Sequence, residues 1–264
     1  MKAHFKVGLR DLIQGALRWP LWTSLAYRDI RKRYARTVFG PFWLTLSTGI
    51  FILAFALIYS NLFGQDMRSY LPFLAAGFLP WTLFSTVVTE GCTTFLAEKP
   101  AITNWQFPYT IFVYQLVCRN VIVFSHNLVI LILINLIYVP TFSWYMLWVP
   151  VGLLLLGLNG LWIALFLATL CSRFRDVQPL VMSFLQIAMF VTPILWKPEQ
   201  LGRHRTVFVD LNVIYHMVVI IRDPFLGQPP PALSLAVSAV CAIVGLAVAL
   251  TFFGRFRRRM PFWL

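Results

Sequence analysis

The chain has 264 residues, 59% of them hydrophobic and only 12% charged, with a mean hydropathy of +0.77 and a formal net charge of +13. A soluble domain carries roughly 25% charged residues, so a soluble globular fold is excluded. Apolar runs of about 20 residues recur without strict apolar–polar alternation, which predicts a polytopic all-α membrane protein and not a β-barrel. The positive charge does not mark nucleic-acid binding: nine of the 22 basic residues lie in residues 1–36 and four in residues 255–259, flanking apolar runs where such clusters set topology and meet anionic lipid.

Residues 1–36 lack the compact apolar core of a cleavable signal peptide. From Asp11 onward they mix Leu, Ile, Trp and Tyr with Arg18, Arg28, Arg31, Lys32, Arg33 and Arg36. Aromatic rings beside cationic side chains predict an amphipathic helix lying at the bilayer interface, kinked or restarted at Pro20. The first span is expected at about 38–63, followed by a short outer loop carrying Arg68. The second, about 71–96, contains Pro72 and Pro80, which predict a kink.

Residues 97–108 form a short inner loop, and the third span follows at about 109–138. Pro140, Phe142, Trp144, Tyr145 and Trp148 mark an outer aromatic belt. The fourth span, about 147–171, ends in the turn from Ser172 to Asp176, whose two arginines favour the cytoplasm. The fifth span is expected at about 180–196 and the sixth at about 232–253, with a basic tail over 254–264. Between them, residues 197–231 form the longest outer segment. Its two apolar pieces are too short to cross, and each suits a short re-entrant or interfacial helix. Six spans place both termini on one side. The inner segments hold 16 basic residues and the outer ones 5, so that side is the cytoplasm.

Few ionisable groups fall within the spans. Glu90 approaches the cytoplasmic face late in the second span, and Arg119 does so early in the third. Buried charges in a membrane are costly and mark function. Either the two pair across their helices or each snorkels to the interface alone. His126 is expected to hydrogen-bond within the bundle, with a proton-relay role as the alternative. The cysteines, Cys92, Cys118, Cys171 and Cys241, are widely spaced and read as packing residues, and no metal-ligand cluster exists. No GxxxxGK(S/T) phosphate-binding loop occurs, so any ATP-driven activity must draw on a partner. Trp43, Phe51, Phe55, Tyr59 and Phe63 fall at multiples of four residues along the first span. This stripe either packs against lipid and helix or lines a conduit on which sugar C–H faces slide.

Several motifs occur in order along the chain: Arg28-Asp29 through Arg33-Tyr34, with Gly40; Phe107-Pro108-Tyr109, with Tyr114, Arg119-Asn120 and His126-Asn127; Arg173 to Asp176; Thr192-Pro193; and Asn212, Tyr215, His216, Arg222 and Gly227. In this order, over essentially the whole length, the chain resembles the ABC-2 polysaccharide-export permeases, and among them the O-antigen exporters of Gram-negative inner membranes. The resemblance implies a homodimeric conduit for a lipid-linked polysaccharide, bound 2:2 to a separate nucleotide-binding ATPase subunit that holds ATP and Mg, with no cofactor in this chain. It implies ATPase contacts near Arg28, Arg31, Arg33, Asn104, Trp105 and Phe107, and a periplasmic mouth at Asn212, Tyr215, His216 and Arg222. Capsule or teichoic-acid permeases share the architecture. A membrane-embedded glycosyl- or acyltransferase is the alternative of another class, and would need convergent Asp, Glu, His or Lys, whereas the nine acidic residues are scattered along the sequence with no DxD-type pair. Two departures stand out: Asn212-Val213 where many relatives have Asn-Pro, and Asn104-Trp105-Gln106 where many carry a basic residue before Phe-Pro. The second points to aromatic docking through Trp105 instead of an ionic contact.

Overall fold

The fold was taken from a computed structural model that describes residues 2–33, 35, 42–62, 64–105, 107–138, 143–199 and 206–264. The stripe residue Phe63, the motif residues Tyr34 and Gly40, and Arg36, Gln106, Pro140, Phe142, Arg203 and Arg205 lie outside these. Among the described residues all regular structure is helical.

Two helices, α1 (Lys2–Leu17) and α2 (Trp19–Arg33), occupy the N-terminal segment. The break falls at Arg18, and Pro20 sits in the first turn of α2, where its missing N–H has no helical partner to lose. Five stretches are long and apolar enough to cross a membrane. They are α3 (Phe42–Leu62), α4 (Met67–Ala97), α6 (Thr110–Tyr138), Trp144–Cys171 and α10 (Ala232–Phe256). The fourth of these opens with a 3-10 turn, Trp144–Trp148, and continues as α7 (Val149–Cys171). A short helix, α5 (Lys99–Asn104), joins α4 to α6.

The remaining apolar run is shorter than its hydropathy predicts. Helix α8 covers Val177–Val191 and stops at Thr192, whose extended backbone is the conformation favoured before a proline. At 1.5 Å per residue its 15 residues reach roughly 22 Å, less than the ~30 Å hydrocarbon core. Beyond it the chain turns at Pro193 and Ile194, and the Leu195 carbonyl accepts a 2.5 Å hydrogen bond from the Tyr70 hydroxyl at the start of α4. Helix α9 (Val213–Phe225) is too short to cross and lies buried against α4, α7 and α10.

Helix α4 is the axis of the bundle. It touches α3, α6, α7, α8 and α9; 83% of its apolar window is buried, against 17% for the peripheral α3. Close packing on this axis relies on small residues. A side chain at Gly91 would press on the Ala164 backbone of α7 at 2.9 Å, so the two helices meet there almost backbone to backbone. The chain's first and last helices share one end of the bundle: α1 packs on α10, and Gly8 and Gly254 let their backbones touch. The turn after α7 is at this end too, where Arg173 lies over the Trp263 ring of the last helix, α11 (Met260–Trp263). This is the end at which the basic clusters gather, and it is called the basic end below.

Candidate functional site

Asp29 and Arg33 are four residues apart on α2 and therefore share a face. That face turns toward α4 and α6. Arg33 Nη2 donates to Glu90 Oε1 at 2.9 Å, and Arg119 bridges both carboxylates, with Nη1 2.8 Å from Asp29 Oδ2 and Nη2 2.7 Å from Glu90 Oε2. Asn120 Nδ2 adds a bond to Glu90 Oε2 at 2.9 Å, and Gln115 Nε2 one to Asp29 Oδ2 at 2.7 Å. Two carboxylates and two guanidiniums cancel, which lets the cluster sit at the edge of an apolar bundle. Glu90 and Arg119 are thus partners and not separate snorkelling charges. Sequence reasoning did not single out Asp29 or Gln115 as members; the Asp29/Arg33 spacing was the available signal.

The interhelical charge cluster continues into the α4–α5 turn. Burial pushes the Glu98 carboxyl above the usual glutamate range, and the Asp29 charge adds to the shift. Beyond it α5 presents Asn104 and Trp105 outward, Trp105 being 63% exposed. The Trp105 and Phe107 rings stack with centroids 6.1 Å apart, and Arg18 lies 5.4 Å from the Phe107 centroid. Of the arginines expected to meet a partner, Arg28 and Arg31 are exposed, whereas Arg33 turns inward to Glu90.

A second buried charge anchors α1. The Asp11 side chain is 1% exposed; Oδ1 accepts from the Thr110 amide at 3.1 Å and from its hydroxyl at 2.9 Å, and Oδ2 accepts from Arg257 Nε at 2.5 Å. Arg257 also lies 4.8 Å over the Tyr109 ring. One carboxylate therefore ties α1 to the start of α6 and the end of α10. The Lys99 ammonium donates to the Leu264 main-chain oxygen, so the last turn also touches α5.

At the far end, Asn212 caps α9: Oδ1 accepts from the amides of Ile214 and Tyr215 at 3.0 and 3.1 Å, while Nδ2 reaches Thr192 Oγ1 at 3.0 Å. The break expected from Asn-Pro is made here by an amide side chain. His216 is buried between the Ser234 hydroxyl, 2.8 Å from Nδ1, and the Asp210 carbonyl, 2.9 Å from Nε2. Arg222 donates to the Pro193 carbonyl and to Asp223, and lies 4.8 and 5.5 Å from the Phe73 and Tyr215 ring centroids. Asn212 and Arg222 therefore fasten the end of α8 to α9, Tyr215 packs under the Arg222 guanidinium, and His216 ties α9 to α10.

The profile of the ABC-2 type transporter family matches residues 20–226, more than half of the chain. The chain belongs to the ABC-2 type transporter family. It is similar to the O-antigen export system permease protein RfbA of Myxococcus xanthus, with 27% identity over 67% of this chain and 68% of that protein. Two proteins of the same description from Klebsiella pneumoniae are 25% and 21% identical, over 86% and 90% of this chain and 90% and 93% of theirs.

Within this ABC-2 fold the α3 stripe is a continuous stack. Phe51 and Phe55 lie 4.2 Å apart, Phe55 and Tyr59 5.5 Å apart, and Phe51 rests on Phe78 of α4 at 5.0 Å. Trp43 stands outside the stack at 55% exposure. His126 Nδ1 donates back to the Ile122 carbonyl of its own helix at 2.8 Å. Among the described residues no cluster of His, Cys, Asp or Glu could hold a metal ion.

Proposed function

We propose that this chain is the membrane-spanning permease subunit of an ATP-driven exporter that moves lipid-linked O-antigen polysaccharide from the cytoplasm to the periplasm of a Gram-negative cell. In this reading the basic end faces the cytoplasm, two copies of the chain form the conduit, and each meets one copy of a separate nucleotide-binding subunit that supplies ATP and Mg. The chain itself makes and breaks no covalent bond. Relatives described as O-antigen export permeases supply the cargo.

The observation that carries the reading is the charge lock of Arg33, Asp29, Glu90 and Arg119. It joins a surface helix to two spans through side chains held at 2.7–2.9 Å. A partner gripping the exposed face of α2 and the Trp105 platform displaces α4 and α6 with them. Nucleotide binding to that partner then shifts the conduit between two states by differential affinity. The stacked rings of α3 offer flat, weakly adhesive surface along which a polymer slides.

The test is co-purification with the candidate ATPase in lipid nanodiscs, with turnover measured with and without lipid-linked glycan. A 2:2 complex whose turnover responds to glycan is the expected result. A chain that stays alone, or that alters the glycan without ATP, overturns it.

A further inference from the structure

A polar groove runs between α3 and the α4–α6 pair, on the bundle side of the Arg33–Glu90 bridge. Thr48 of α3, Thr82 and Thr86 of α4, and Asn120 and Asn127 of α6 line it, with Arg33 at its mouth and apolar side chains between; its volume is about 230 Å³. Thr86 and Thr82 lie one and two turns beyond Glu90, so the polar wall reaches roughly 12 Å into the apolar run. Asn120 is already committed, its Nδ2 bonded to Glu90 and to the Leu116 carbonyl. Asn127 is not: it is 5% exposed and its Oδ1 has no hydrogen-bond partner. An amide oxygen without a partner at this depth costs about 1–3 kcal/mol, which a bound hydroxyl would recover.

Arg33 also borders a second cavity of about 230 Å³ on the basic side, beside Glu98 and Gln115, where Gln115 Oε1 is likewise without a partner. Arg33 is common to the described linings of both cavities and Glu90 lines the second, so the Arg33–Glu90 pair stands where a door between them would stand.

We propose that the groove is a binding site for one uncharged sugar ring, entered past Arg33 when α2 draws that side chain away from Glu90. This rests on the export reading for its cargo. The ligand class follows from the walls. Hydroxyls and carboxamides both donate and accept, as sugar hydroxyls require, and the apolar side chains between them match the C–H face of a ring. Among the described lining residues the one cation, Arg33, already faces Glu90, which disfavours a phosphate. The volume is below the roughly 300 Å³ at which drug-sized pockets begin and takes a single ring.

The test uses the full chain carrying Thr86→Cys in phosphatidylcholine nanodiscs, with and without monogalactosyl diacylglycerol as the one-ring probe. Labelling by a hydrophilic maleimide is read on the peptide that carries residue 86. The galactolipid is expected to slow labelling about tenfold, and adding Asn127→Leu to remove most of that protection. Thr82→Val, nearly isosteric, gives a second variant and is expected to weaken the protection. Equal labelling in both lipids, or protection undiminished by either variant, overturns the assignment. Glycan-responsive ATPase turnover without galactolipid protection sinks the groove and leaves the export reading standing. Protection without responsive turnover leaves the groove standing and sinks the export reading.

Discussion

Arg119 and Glu90 meet at 2.7 Å across α6 and α4, and their side chains are only 17% and 23% exposed. Removing the carboxylate leaves a guanidinium under-compensated at the edge of the hydrocarbon. Glu90→Gln is expected to destabilise the chain by about 3 kcal/mol. Arg33→Met breaks a bond to the same carboxylate, but Arg33 is 47% exposed, so that change is expected to cost only about 0.5 kcal/mol. Thermal unfolding of both variants in one detergent checks the ordering; equal losses would show that the pair does not hold the helices.

Asp11 holds three elements with one carboxylate. Asp11→Asn keeps an acceptor for Thr110 but loses the charge that faces Arg257. The expected loss is about 2 kcal/mol, typical of a buried hydrogen bond to a charged group. Trypsin cleavage near Arg10 and Arg18 should quicken as α1 loosens from α10; cleavage at the parental rate would mean the carboxylate is dispensable.

Trp105 is exposed and its ring stacks on Phe107. Trp105→Ala is therefore expected to leave stability within about 0.5 kcal/mol, as for most surface substitutions, while the ATPase partner no longer co-purifies or no longer responds to glycan. Unchanged coupling in the assembled complex would remove Trp105 from the docking surface.

Glu98 carries a pH signature. Its folded-state carboxyl is raised, chiefly by burial and secondarily by Asp29. The folded chain then holds this proton more tightly than the unfolded chain. The associated stability is fully present below the ordinary glutamate value of about 4.3 and is lost as pH rises through the raised value. Glu98→Gln removes that dependence, so the melting point of the variant relative to the parent is expected to rise with pH from about 4 upward. A difference that stays flat with pH would show that Glu98 titrates normally.

The membrane class, the five long helices and the basic clusters were legible in the sequence because each is a local property: run length, composition and flanking charge. Intramembrane charge is equally local, so Glu90 and Arg119 could be named in advance. Who partners whom was not local. Asp29 and Arg119 are 90 positions apart, as are Asn135 and the Phe225 carbonyl it bonds. Their meeting depends on how each helix is rotated and where α2 docks. The shortened α8 and the burial of α9 beneath the far end likewise came from tertiary contacts, because Tyr70 and Arg222 fix the carbonyls of Leu195 and Pro193 in place. The groove beside Asn127 is wholly a product of packing, since three helices must be set side by side before threonines and asparagines scattered over the sequence can face a common space.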